Sequence, residues 1–359
     1  MRVSGRVRRT AALLLCLCLL LALPLRAEGT AAEAEPPAFI DSDELTAVVE
    51  QAVADFFKRS GVDIPLSVAV TFTRTGETWY YNADEWIYTA SVYKLPLMMK
   101  LSNLKKYDAL GDYPEVLSVQ TDTIMERCLV HSDNHWALFT WRSMYASDDK
   151  FMHAALELAH FPEDELPAGF FNTQKFSARF TLGIVQELYE HPDEYPDVLE
   201  YMKLAQPQEY FRCELEGEYE IAQKYGSADG ANHTAGIIYT PSPILLVVMT
   251  NGLGASFGNH LIGHVAKAIA DYALLVDERA DAWEAELAAM ATPEPTAEPT
   301  PAPTPVPTAE PTPVPAPAST PEPSPAPTPT ALDRVQPLWL LALIPISALG
   351  LWLILKKKR

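Results

Sequence analysis

Three tetrads of the form Ser-x-x-Lys occur in the chain: Ser91 to Lys94, Ser102 to Lys105 and Ser147 to Lys150. On a helix, residues i and i+3 share one face, so the amine stands one turn from the hydroxyl. A serine hydroxyl is a weak nucleophile until a base removes its proton. A lysine can be that base when burial or a second cation keeps its amine neutral. The tetrad alone is a weak signal, and three copies underline this. Context separates them. Ser91 falls where a loop after a strand pair runs into a helix, so backbone N–H groups at the helix start point at whatever meets it. Ser102 lies in the middle of the same helical pattern, and Ser147 lies in an acidic loop.

Two further groups follow in order. Ser132-Asp133-Asn134 is the one Ser-Asp-Asn triplet, and Lys224-Tyr225-Gly226 the one Lys-x-Gly, on a strand running into a Gly- and Ser-containing turn. Ser-x-x-Lys, then Ser-Asp-Asn, then Lys-x-Gly resembles the signature of serine β-lactamases and penicillin-binding proteins. The stretch from about Asp41 to Val276, including Gly76-Glu77-Thr78-Trp79-Tyr80-Tyr81-Asn82-Ala83-Asp84, resembles class A β-lactamases. The resemblance implies roles. Ser91 would be the nucleophile and Lys94 its base, with Lys224 as the second cation. Ser132 would stand between the lysines and relay a proton to the leaving nitrogen. Asn134 would orient the substrate amide, and Gly226 would leave room beside the strand. The backbone N–H groups of Ser91 and Ser227 would hold the oxyanion. Lys224 and the Ser227 hydroxyl would hold a substrate carboxylate. His233 lies near where the family often has another cation for it; read from the residues alone, it is an ordinary turn histidine.

Three departures stand against the pattern. Tyr225 replaces the usual Thr or Ser with a bulky ring, which could shift or block substrate choice. The interval from Ser91 to Ser132 is shorter than usual in class A enzymes. The loop between Ser132 and Lys224 is trimmed, and it is there that the family carries a Glu and, four residues on, an Asn that hold the deacylating water. The nearest match is Glu163-Asp164-Glu165-Leu166-Pro167, with Pro167 in place of the Asn. Glu163 is either the deacylation base or an exposed acid in an acidic run. Acylation machinery is complete while deacylation machinery is not.

The leading expectation is therefore a serine acyl hydrolase acting on a β-lactam amide. Alternatives are a wall peptidase of the penicillin-binding type with slow deacylation, a sensor, and a degenerate module that binds β-lactam or peptidoglycan. The expected substrate is of the β-lactam or peptidoglycan type, and the protein is expected to be monomeric. No His/Asp/Glu/Cys cluster has ligand spacing, so neither a metal nor another cofactor is expected.

These residues need a scaffold. Glu44 to Phe57 has helical apolar spacing, with Ser42 and Asp43 as candidate caps. Leu66 to Thr73 and Trp79 to Asn82 read as a strand pair around Gly76. A helical pattern runs from Lys94 through Leu104, and Thr121 to about Met202 reads as mostly helical. Tyr219 to Lys224, Gly236 to Tyr239 and Ile244 to Thr250 read as strands. Asn259 to Leu274 reads as a last helix that continues toward Met290. This order predicts an α+β domain over 36–290: one antiparallel sheet flanked by the N- and C-terminal helices, plus a helical subdomain.

Both ends read as membrane signals. Residues 1–34 read as a signal peptide, with four arginines ahead of the apolar run Ala11 to Leu23 and Ala32-Glu33-Ala34 as a cleavage pattern. Residues 291–333 form a Pro/Thr-rich linker; the stretch Thr292 to Thr330 holds 16 of the 31 prolines, too many missing N–H groups for helix or sheet, so the linker is expected to be disordered. Pro337 to Leu355 is uncharged and 19 residues long, enough for one transmembrane helix, and the basic tail 356–359 would stay cytoplasmic. The domain is thus expected on the extracellular face of the membrane, tethered by its C-terminus. With Cys16 and Cys18 in the signal segment, Cys128 and Cys213 remain, as one disulfide or two free thiols. The 47 Asp and Glu against 27 Lys and Arg, a net −20, disfavour nucleic acid as a partner.

Overall fold

The computed structural model describes residues 35–290, apart from residues 118, 119 and 207. The signal, linker, apolar and basic segments expected at 1–34 and 291–359 lie outside the described residues. Among the described residues, no helix is long and apolar enough to cross a membrane.

The main elements, in order, are α1 (Ser42–Phe57), β1 (Leu66–Phe72), β2 (Glu77–Tyr81), β3 (Ile87–Tyr88), α2 (Lys94–Lys106), α3 (Thr121–Leu129), α4 (Asn134–Met144), α5 (Asp148–Ala159), β4 (Lys175–Phe176), α6 (Ala178–Glu190), β5 (Glu220–Ala228), β6 (Ala231–Tyr239), β7 (Ile244–Thr250) and α7 (Ala255–Met290). Short helical turns join several of them. The expected α+β architecture holds. Five antiparallel strands pair in the order β2-β1-β7-β6-β5, and β3 pairs with β4 in a separate ribbon.

Both faces of the sheet are covered, which is why every residue of β1 and β7 is buried. Alternation still sorts their side chains. Val68, Val70 and Phe72 of β1, with Leu246 and Val248 of β7, pack with Leu45, Val49, Val265, Ile269 and Val276 of α1 and α7. Ala69, Val247 and Met249 face the helical block, with Leu95, Met98, Ile184 and Val185. Each fully buried side chain of this size contributes about 1.5–3 kcal/mol. Within the block α6 crosses α5 closely: a Cβ on Gly183 would lie 2.1 Å from the Ala159 carbonyl oxygen.

Four boundaries differ from the sequence expectation. Asp41, not Ser42 or Asp43, caps α1; its side chain accepts from the N–H groups of Asp43 and Glu44. The last helix begins at Ala255 and runs unbroken to Met290, tied back to α1 where Arg279 Nη2 meets Glu44 Oε2 at 2.7 Å. Strand β5 continues four residues past Lys224, and β6 begins at Ala231 rather than Gly236. Asp229 and Gly230 both have positive φ and close the hairpin, the preference expected of an Asp-Gly pair. The polar run Asn232-His233-Thr234 masked this strand, because its side chains are buried. Cys128 and Cys213 are both free thiols, which removes the disulfide alternative.

Candidate active site

Ser91 sits on the turn between the β3–β4 ribbon and α2. The Thr89 N–H donates to the Gln174 carbonyl, which ties this turn to the segment leading into β4. Ala90 has φ 45°, a left-handed conformation that costs a non-glycine residue energy and turns the chain sharply. The next N–H groups then close the first turn: Val92 donates to Thr89, and Lys94 to Ser91 at 3.2 Å. As a result the Lys94 Nζ lies 3.0 Å from the Ser91 Oγ. The i, i+3 relationship read from the tetrad is realised at this site.

The Ser-Asp-Asn triplet forms the start of α4. Ser132 has φ 53°, and the Asp133 side chain caps the helix by accepting from the N–H groups of His135 and Trp136. That geometry turns three groups toward Lys94. Its Nζ lies 2.5 Å from the Ser132 carbonyl oxygen, 2.6 Å from Asn134 Oδ1 and 3.2 Å from Ser132 Oγ. Lys224, on edge strand β5, closes the set from the sheet side. Its Nζ lies 3.0 Å from Ser132 Oγ and 2.6 Å from the Tyr225 carbonyl. The Ser132 hydroxyl therefore bridges the two amines.

Both lysines are fully buried. Burial pushes the Lys94 amine down to about 8, against smaller upward pulls from Cys128 and Asp133. Burial also holds Lys224 well below the usual lysine range, and the charge of Lys94 adds to this. The buried Cys128 thiol, on α3, is pushed up to about 12 by its own burial, with both lysines opposing. The oxygens around Lys94 fit a neutral amine. Its two hydrogens can go to the short acceptors, the Ser132 carbonyl and Asn134 Oδ1, which leaves a lone pair facing the hydroxyls.

Gly226 lies against the nucleophile turn. A Cβ there would stand 2.6 Å from Ser91 N, 3.0 Å from Val92 N and 3.1 Å from the Ala90 Cβ. Ser227 is exposed at the cleft, and its hydroxyl donates to Asn232 Oδ1 at 2.9 Å. A cleft of about 440 Å³ opens over Ser91, with Tyr88, Asn134, Leu138, Arg142, Asp148 and Gln174 among its walls.

Two expected residues do not join this site. His233 is neither a turn histidine nor an exposed cation. It lies within β6 opposite Gly226, fully buried, and its Nε2 donates to the Tyr88 carbonyl at 2.7 Å. Burial pushes it down to about 4, so the ring is neutral near pH 7 and braces the ribbon that leads to Ser91. Glu163 is exposed in the 3-10 turn Glu163–Glu165 and is not among the residues that line the Ser91 cleft. This turn is held elsewhere: Glu165 meets Arg179 at 2.6 Å, and Arg179 meets Asp84 at 2.5 Å.

Tyr225 is buried. Its ring stacks on Tyr210 with centroids 4.9 Å apart, lies 4.1 Å from the Lys224 Nζ, and its phenol is hydrogen-bonded by the Ser132 and Gln206 side chains. Sequence reasoning missed Gln206, Tyr210 and Cys128 as neighbours of the site. They lie outside the three motifs, and no spacing links them to it.

Residues 139–273 match the model of the β-lactamase enzyme family, a span that includes Lys224 and begins after Ser91, Lys94 and Ser132. A search of the curated proteins found no match. Among solved structures, a β-lactamase from Desulfarculus baarsii is similar with a TM-score of 0.52 at 15% identity, covering 65% of this chain and 98% of that one. A β-lactamase from Sphaerobacter thermophilus gives 0.52 at 19% identity, with 66% and 99% covered. A class A β-lactamase representing the last common ancestor of Gram-negative bacteria gives 0.51 at 18% identity, with 63% and 99% covered. The described domain thus has the fold of class A-like β-lactamases, and its residues 139–273 match the model of the β-lactamase enzyme family.

Proposed function

We propose that this protein is a serine acyl-transfer enzyme that opens a β-lactam-type cyclic amide and carries the acyl group on Ser91. The observation that supports this most is the placement of one hydroxyl, Ser132, between two buried amines, one of which lies 3.0 Å from Ser91 Oγ. The neutral Lys94 amine takes the Ser91 proton as Oγ attacks the carbonyl carbon. The new C–O bond forms, and the oxyanion meets the N–H groups of Ser91 and Ser227. The C–N bond then breaks, and the proton passes from Lys94 through the Ser132 hydroxyl to the leaving nitrogen. Hydrolysis is completed when water releases the acyl group and restores the hydroxyl.

A second reading concerns that last step. Glu163 lies outside the Ser91 cleft, and the carboxylate lining it among the described residues is Asp148, exposed at the start of α5. This favours slow deacylation, as in a penicillin-binding wall enzyme. From its terminal segments we place the domain outside the cell on a C-terminal anchor.

The deciding experiment incubates the full-length protein with a chromogenic β-lactam and follows colour and intact mass together. Rapid turnover supports hydrolysis. A persistent adduct that maps to Ser91 supports the slow-deacylation reading. No colour and no adduct would reject both and leave a degenerate binding domain.

A further inference from the structure

We infer that the acyl donor of this site carries no carboxylate beside its leaving nitrogen, and that Tyr225 sets this specificity. The inference rests on the acyl-transfer reading above and narrows its substrate. The buried Tyr225 phenol is hydrogen-bonded by the Ser132 side chain, whose hydroxyl would pass the proton to the leaving nitrogen, so its ring stands beside the substituents of that nitrogen in this reading. The groups expected to hold an anion there, Lys224, Ser227 and His233, are each engaged or sealed.

Lys224 is fully buried. Its amine donates to Ser132 Oγ and to the Tyr225 carbonyl, and its remaining side faces the Tyr225 ring at 4.1 Å. An N–H directed at an aromatic face gains energy there, and the amine so held has no open direction toward a ligand. The Ser227 hydroxyl is committed to Asn232 Oδ1 at 2.9 Å. Asn232 is itself fully buried, and its amide donates to the carbonyls of Gly230 and Leu253. His233 is buried and turned to the Tyr88 carbonyl. The exposed cation lining the Ser91 cleft, Arg142, lies eight residues along α4 from Asn134, which is about 12 Å of helix.

The wall around Tyr225 is built, not incidental. The Gln223 side chain accepts from the Phe211 N–H and donates to the carbonyls of Ala205, Gln206 and Glu209. Asn259 Oδ1 accepts from the Tyr210 N–H. This clamp holds Gln206, Gln208 and Tyr210 at positive φ, which non-glycine residues adopt at a cost. The outcome is a fixed Tyr210 ring stacked on Tyr225. Past Ser227 the surface continues into a hollow of about 450 Å³ lined by Glu209 and His260. A carboxylate reaching that way meets the Glu209 carboxylate beside the His260 ring, on a protein of net charge −20. A neutral ester, amide or alkyl group meets a tyrosine ring.

The test uses the full-length protein and two matched acyl donors, benzylpenicillin and its uncharged methyl ester, with Ser91 acylation rates read by intact mass. The expected result is that the free acid reacts no more than threefold faster than the ester. A free-acid preference above threefold overturns the inference. Tyr225→Thr opens the wall and is expected to shift the ratio at least tenfold toward the free acid. Tyr225→Phe keeps the ring and is expected to keep the wild-type ratio. A ratio that Tyr225→Thr leaves in place, in a variant that still reacts, also overturns the inference. A neutral fluorophosphonate separates the two levels of failure. If it labels Ser91 while neither penicillin form reacts, the β-lactam reading falls and the inference falls with it. If it does not label Ser91, the nucleophile assignment itself is wrong.

Discussion

The Lys94 amine lies 3.0 Å from the Ser91 hydroxyl, and among the described residues no carboxylate is bonded to either group. Burial, rather than a second charge, is the larger cause of its lowered proton affinity. A base must be neutral to accept a proton, and Lys94 is pushed down to about 8. The Ser91 acylation rate is therefore expected to rise about tenfold per pH unit below pH 8 and to level off above it. Single-turnover acylation between pH 5.5 and 9.5 checks this. A flat profile across that range would remove Lys94 as the base.

The other tetrads make the matched control. The Ser102 hydroxyl is buried and donates to the Pro196 carbonyl at 2.6 Å, while Lys105 meets Asp122 and Asp197 at the surface. Ser102→Ala is expected to cost about 1 kcal/mol of stability by leaving that carbonyl unpaired, and to keep full acylation. Ser91→Ala is expected to abolish the adduct with little change in thermal midpoint. Mass mapping of the adduct in both variants decides the matter; an adduct that persists in Ser91→Ala refutes the assignment.

How far the sequence carried this reading depends on which contacts are local. Ser91 and Lys94 were legible because three residues of helix fix their distance; the Asp133 cap, equally short-range, went unread. Lys224 was legible through a motif rather than through any periodicity, since a buried amine interrupts an apolar strand without announcing its partner. The beginning of β6 was missed because Asn232 and His233 are polar and buried, and their partners, Leu253 and Tyr88, lie far along the chain. Glu163 shows the opposite case. Its residue type and position in the loop resembled a catalytic acid, yet the turn that carries it is exposed. Tyr210 and Gln206 reach Tyr225 through a loop whose shape depends on Gln223 and Asn259, and nothing local encodes that.

Gly226 carries a steric prediction. Strand β5 passes so close to the nucleophile turn that the missing side chain is what permits the contact, and the obstructing atoms are backbone. Gly226→Ala cannot be absorbed by a rotamer change. It must push β5 away from Ser91, and overpacking of this kind costs about 1–3 kcal/mol. Acylation is expected to fall at least a hundredfold while far-UV circular dichroism stays native-like. Wild-type acylation by the variant would show that the strand and the turn are not held at this distance.

His233 makes a prediction about acid stability. Its ring is neutral in the fold, pushed down to about 4 by burial, and its Nε2 hydrogen is committed to the Tyr88 carbonyl. In the unfolded chain a histidine titrates near 6.5. Between about pH 6.5 and 4 the unfolded state therefore binds more protons than the folded one, so stability falls as pH is lowered through that window. The full loss from this one residue is about 3 kcal/mol. Because the same ring braces the ribbon ahead of Ser91, acid should loosen the nucleophile turn together with the fold. Urea unfolding at intervals from pH 7 to 4, compared with His233→Gln, isolates the contribution, and proton NMR of the imidazole provides a direct reading. A His233 ring found charged at pH 5.5 in the folded protein, or an equal acid loss in His233→Gln, would show that this side chain is not sealed against Tyr88.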